Sequence, residues 1–286
     1  MKSFLPSSIA LRLSGKIFFL AAILFAFPGF SQKNKFRNDS IAIRDSIKEM
    51  MFQGALLSMD ALQAKYESQK RTDPGQRQQK ACESQNLFFQ SRAYYRRAIF
   101  FDNNYFPAWS NMGTTYYMQD LPKAAIPCYR QAIHLNNDYS PAWYNLGKAY
   151  DMLGRKDSAD YSYRQCIRSD SSYVQAYEEL SRMIMSDQKD SAAALKLLRL
   201  AFHYKSDSDV PLVSMSVIYF SMNDSANGIS ALTTAAWIYP GDIQRLQNLC
   251  SYYTYHKDLQ KAEFWSGILD IEKKKQEFPI DPDAGQ

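Results

Sequence analysis

The residues able to do chemistry are scattered along this 286-residue chain rather than gathered. Its three histidines, His134, His203 and His256, stand far apart, and none has a second His or Cys at the i+3 or i+4 spacing that puts two donors on one helix face, so no metal site is expected. A Gly-rich phosphate loop, a His-Glu-x-x-His helix and a Gly-x-Ser-x-Gly nucleophile turn are all missing. Glu178 and Glu179 are adjacent carboxylates, but neighbours on a helix point about 100° apart and cannot act on one bond; they read as a solvated face. The four cysteines form no Cys-x-x-Cys. Cys166 and Cys250 fall at small, packed positions and read as buried thiols, whereas Cys82 and Cys128 could face outward and pair. No catalytic constellation, cofactor motif or small-molecule site emerges, and binding becomes the stronger expectation.

The positions that do recur are structural. Trp109, Met112, Gly113, Tyr116, Ala125, Tyr129 and Ala132 are matched, 34 residues on, by Trp143, Leu146, Gly147, Tyr150, Ala159, Tyr163 and Cys166. The first four of each set lie at i, i+3, i+4 and i+7, one face of a helix; the last three lie at i, i+4 and i+7, one face of a second. Each unit is a helical hairpin, with Gly and Ala where two helices approach closely and aromatic rings filling the space beside them. One hairpin cannot bury both faces alone, so neighbours must stack.

This pattern resembles the tetratricopeptide repeat (TPR), whose period is 34 residues with Trp, Leu-Gly and Tyr in one helix and Ala and an aromatic in the next. The resemblance implies an all-α superhelical solenoid of antiparallel hairpins, about five repeats over residues 72–276, that binds a protein or extended peptide in its concave groove without catalysis. It places on that groove the first-helix residues turned away from the hairpin partner, among them Asn111, Tyr117, Tyr144, Asn145, Lys148 and Arg182. Asn111 and Asn145 share a repeat offset, and an amide there can donate to and accept from a peptide backbone; inter-repeat hydrogen bonding or solvation is the alternative. The basic surroundings used by the TPRs that grip chaperone C-termini are lacking: Ser110 and Thr114 precede Asn145, while Gln175 and Glu179 follow it.

Further units open at Tyr177, with one extra residue near Gln188, at Leu212 and at Leu246, fading as terminal repeats do. Tyr95 and Ala98 match the second helix of an earlier unit whose first helix is not in register. Ile43, Ile47, Met50, Leu57, Ala61 and Ala64 instead mark a long amphipathic helix that caps the array or completes that unit (residues 32–71). Asp157-Ser158, Asp190-Ser191 and Asp224-Ser225 recur where second helices begin and read as caps; followed by Ala, Asp-Ser also resembles an O-glycosylation motif of Bacteroidota.

Lys2, Arg12 and Lys16, the apolar run 17–27 and the small residues Gly29 and Ser31 have the shape of a secretory signal peptide over 1–31, with an uncleaved anchor as the competing reading. The chain is expected in the periplasm or outside the cell, with no membrane span after cleavage, and residues 277–286 as a disordered tail. Without residues 1–31 the chain carries 31 Lys and Arg against 29 Asp and Glu, too balanced for a nucleic-acid partner. The rival function is a structural subunit of a cell-envelope assembly, such as a secretion or motility apparatus, held through the N-terminal helix or the convex face.

Overall fold

A computed structural model describes residues 32–187 and 189–277. The expected signal segment, and all but one residue of the expected tail, lie outside the described residues. Every described element is a helix: α1 (Gln32–Lys70), α2 (Pro74–Phe101), α3 (Phe106–Met118), α4 (Pro122–Leu135), α5 (Ser140–Met152), α6 (Lys156–Ser169), α7 (Val174–Asp187), α8 (Ser191–Tyr204), α9 (Val210–Ser221), α10 (Ser225–Ile238), α11 (Ile243–Tyr255) and α12 (Leu259–Glu277). The chain divides into two compact units, one ending at Glu49 and one beginning at Met50. Among the described residues the first unit holds only the N-terminal part of α1; the second holds the array. No described helix is long and apolar enough to cross a membrane.

Within the second unit, helices pair as α3/α4, α5/α6, α7/α8, α9/α10 and α11/α12, and each hairpin packs on the next. Small residues set the crossing distance: a Cβ added to Gly113 would come within 2.8 Å of the Tyr129 ring, and one added to Gly147 within 2.5 Å of the Tyr163 ring. Trp109 and Trp143 hold successive hairpins together from outside the crossing. Their indole N–H groups donate to the carbonyls of Asn103 at 3.2 Å and Asn137 at 2.8 Å, tying each first helix to the turn that enters it. Two residues past the end of the first helix of each of these five hairpins stands a residue with positive φ: Asp120, Gly154, Lys189, Asn223 and Lys257. Four of the five are not glycine and accept the left-handed strain in exchange for the tight turn.

The missing first helix of the earliest repeat is the part of α1 that begins at Met50. Gly54 lies against Tyr95 as Gly113 lies against Tyr129, with a Cβ clash at 2.7 Å. Ser91 donates to the Gly54 carbonyl at 2.7 Å, and its hydroxyl lies 2.7 Å from that of Ser58; Ser84 donates to the Ala61 carbonyl at 2.7 Å. The pairing runs antiparallel, but Gly54 and Tyr95 are 41 residues apart where Gly113 and Tyr129 are 16 apart. Both helices of this hairpin are extended at its closed end, and that insertion hid the first helix from a fixed-period reading.

Two local expectations change. Asp190 and Asp224 do cap their helices, accepting from the Ala193 N–H at 2.9 Å and the Asn227 N–H at 3.2 Å. Asp157 lies inside α6, whose N-cap is Arg155 with no side-chain cap, because the turn at Gly154 starts the helix two residues earlier relative to the Asp-Ser pair. Cys128, expected to face outward, is buried on α4 beside Tyr95 and Met112; burial pushes its thiol up to about 11. All four cysteines are free thiols.

Candidate functional site

Neighbouring first helices α3 and α5 touch one another, as do α7 and α9, so the first-helix side forms the inner wall of the array. On it lies a cavity of about 360 Å³ lined by Tyr117, Lys148, Asp151, Met152, Tyr163, Glu179 and Arg182. Three successive first helices, α3, α5 and α7, supply six of these residues, and Tyr163 reaches in from α6.

Lys148 is the centre of the site. Its ammonium stands 5.0 Å from the centroid of the Tyr117 ring and 5.6 Å from that of Tyr144. Two aromatic faces attract a cation without neutralising it, and Lys148 forms no ion pair with a described residue. Arg182 differs: its Nε bonds the Glu179 carboxylate at 2.9 Å and its terminal nitrogen bonds Asp151. Two carboxylates on one guanidinium make a fixed, screened group.

Tyr163, like Tyr177 and Arg92, carries a buried polar atom without a hydrogen-bond partner among the described residues, and of the three it is the one that lines this cavity. The side chain is fully buried, yet its hydroxyl has no hydrogen-bond partner among the described residues. Comparison of two repeats explains this. In the hairpin before, the hydroxyls of Tyr129 and Thr114 are 3.4 Å apart. The residue at the offset of Thr114 is Lys148, which turns instead to the rings of Tyr117 and Tyr144, and the Tyr163 hydroxyl is left without that partner. A buried hydroxyl without a partner costs roughly 1–3 kcal/mol. Burial first, then the charges of Glu179 and Asp151, raises the Tyr163 phenol above its ordinary value and holds it protonated. Tyr117 and Tyr144 are raised too, burial again leading and Glu179 contributing.

Of the six residues expected on the groove, Tyr117, Lys148 and Arg182 line the cavity, and Tyr144 supports it, its ring 5.9 Å from that of Tyr163 and 5.1 Å from that of Tyr173. Asn145 is half-buried, and its side chain makes no hydrogen bond to a described residue, so its amide is available. Asn111 has a different setting, beside the Tyr95 hydroxyl of the hairpin before. Tyr163 was missed because a repeat pattern assigns it to packing. The signal was present in its type, since a fully buried Tyr in place of Phe demands a partner for its hydroxyl. No cluster of three or more His, Cys, Asp or Glu able to hold a metal occurs among the described residues.

Residues 106–139 match one tetratricopeptide-repeat family model and residues 128–161 another. No curated protein matches the chain. Among solved structures, pilF of Pseudomonas aeruginosa is similar at a TM-score of 0.54 and 13% identity, over 84% of this chain and 95% of that one. YrrB, described as a TPR protein with an unusual peptide-binding site, is similar at a TM-score of 0.43 and 17% identity, over 58% and 84%. MamA from Desulfovibrio magneticus RS-1 is similar at 0.44 and 15%, over 60% and 96%. The likeness to pilF spans most of both chains and speaks to the fold. The chain thus carries tetratricopeptide repeats within an all-α helical-repeat solenoid.

Proposed function

We propose that the array is a non-catalytic interaction scaffold that holds an extended segment of a partner protein along the inner wall formed by α3, α5 and α7. The observation that carries this reading is the Tyr163 hydroxyl, buried and unpartnered on the wall of a cavity wide enough for a side chain. A ligand that reaches it regains a hydrogen bond the free protein forgoes. Around it, Asn145 offers a donor and an acceptor to a peptide backbone, Tyr117 and Tyr144 offer rigid apolar contact at low entropic cost, and Lys148 offers an unneutralised cation. The Asp151–Arg182–Glu179 group keeps the site close to neutral and suits a mixed rather than strongly acidic segment. Groove binding is favoured over a purely structural role in an envelope assembly by the free polar groups on the inner wall.

Selection of a random-peptide phage library on the full chain supplies the probe. For the peptide most enriched, Asn145→Ala together with Lys148→Ala weakens binding by at least about tenfold, roughly 1.4 kcal/mol, and Tyr163→Phe weakens it without unfolding the array. Undiminished binding by these variants, measured by fluorescence anisotropy, refutes the groove. We further infer that the protein is exported through residues 1–31, a reading supported by their basic, apolar and small-residue order. N-terminal sequencing of the protein from cells is expected to begin near Gln32; a retained Met1 or Lys2 overturns it.

A further inference from the structure

The first hairpin leaves one side of α1 uncovered. In the second unit, the first helices α3, α5, α7, α9 and α11 each pack on the second helix of the hairpin before. The part of α1 from Met50 on has no hairpin before it among the described residues. Gly54, Ser58 and Ala61 face α2. Away from that contact, over an arc of about 120° centred on Met59, stand Phe52, Leu56, Met59, Leu62 and Tyr66, with 62%, 44%, 68%, 43% and 51% of their surfaces exposed. Five large apolar side chains in one stripe mark an interaction face.

We propose that this stripe is the two-fold interface of a homodimer in which α1 packs antiparallel on α1 of a second copy. The spacing carries the assignment. The stripe is symmetric about Met59: Leu56 and Leu62 lie three residues to either side, Phe52 and Tyr66 seven. An antiparallel two-fold axis through Met59 therefore sets Met59 on its own copy, Leu56 on Leu62 and Phe52 on Tyr66, so each level meets a residue of its own class. A two-fold contact uses the same patch on both copies and so requires this kind of self-complementarity. Aromatic side chains bury about 150–250 Å² when fully covered. At the observed exposures the five residues offer on the order of 500 Å² per copy, or roughly 1,000 Å² in all, the lower edge for a specific interface.

Sedimentation of the full chain across a wide concentration range is expected to show a mass twice 33.0 kDa. Met59→Glu sets two carboxylates face to face on the axis while changing an exposed position, so it raises the dimer dissociation constant at least about tenfold with unchanged helical circular dichroism. Orientation is read by oxidation with copper phenanthroline in air, in a Cys82→Ser background that removes the exposed native thiol. Met59→Cys is expected to cross-link to its own copy, as is the pair Phe52→Cys with Tyr66→Cys, whereas Phe52→Cys alone is not. A monomeric wild type, or a dimer indifferent to Met59→Glu, overturns the interface; self-cross-linking of Phe52→Cys alone overturns the antiparallel packing.

Discussion

Replacing Gly147 with Ala adds one methyl group in the middle of α5, and the structure assigns that change a sign opposite to helix propensity. In an open helix interior Gly→Ala stabilises by about 0.5–1 kcal/mol, because Gly loses more backbone entropy on folding. At Gly147 the new Cβ would stand 2.5 Å from Cε1 and 2.7 Å from Cδ1 of Tyr163, where carbon pairs prefer about 3.5–4.0 Å. The ring must give by about 1 Å, yet Tyr163 is fully buried and its ring abuts that of Tyr144. Overpacking of this kind costs about 1–3 kcal/mol, leaving a net loss of up to about 2.5 kcal/mol after the propensity gain. Gly267, in α12, is the matched control: a Cβ there meets nothing within 4 Å, so Gly267→Ala stabilises. At about 2–4 °C per kcal/mol for a chain of this size, thermal melts followed by circular dichroism separate the two variants by several degrees, Gly147→Ala below wild type and Gly267→Ala at or above it. The hairpin α7/α8 supplies a rescue, since it holds Ser181 and Leu198 at the offsets of Gly147 and Tyr163. Gly147→Ala combined with Tyr163→Leu loses less stability than the two single changes summed. A Gly147→Ala midpoint raised as far as that of Gly267→Ala would falsify the close-approach reasoning.

The caps and the thiols give two further tests. Asp190→Ala removes the acceptor of the Ala193 N–H and lowers stability by about 1 kcal/mol, whereas Asp157→Ala, inside the first turn of α6, changes it by no more than about 0.5 kcal/mol; equal losses in side-by-side melts would show that Asp157 caps after all. Burial pushes the thiols of Cys128 and Cys166 up to about 11 and about 12, so each stays protonated until the pH nears those values, and thiolate, the reactive form, grows only as pH rises. An alkylating reagent at neutral pH is therefore expected to label exposed Cys82 and leave Cys128 and Cys166 until the chain is denatured, with mass spectrometry of the digested protein as the readout; prompt labelling of Cys166 in the native state contradicts its packed position.

Fold class was legible in the sequence because a repeat writes its packing rules more than once. Trp109 and Trp143, Gly113 and Gly147, Tyr129 and Tyr163 each repeat a steric requirement, and a requirement met twice at one spacing is a local property of the chain. The resemblance to the tetratricopeptide repeat pointed to Tyr117, Lys148 and Arg182, which line the cavity, and to Tyr144 beside it. What a fixed period could not decide depended on contacts between distant parts of the chain. Gly54 finds Tyr95 across an insertion of 25 residues relative to the Gly113–Tyr129 spacing, so only the tertiary pairing identifies the first hairpin. Asn111 and Asn145 are equivalent by offset but not by environment, because the hairpin before Asn111 presents a Tyr95 hydroxyl to it. The Tyr163 hydroxyl was left without a partner by the arrangement of three helices at once: Lys148 stands where Thr114 stood, and the rings that draw its ammonium away come from two successive repeats. Spacing along one chain carries the pattern of burial, whereas the pairing of each buried polar atom is settled by whatever the fold brings beside it.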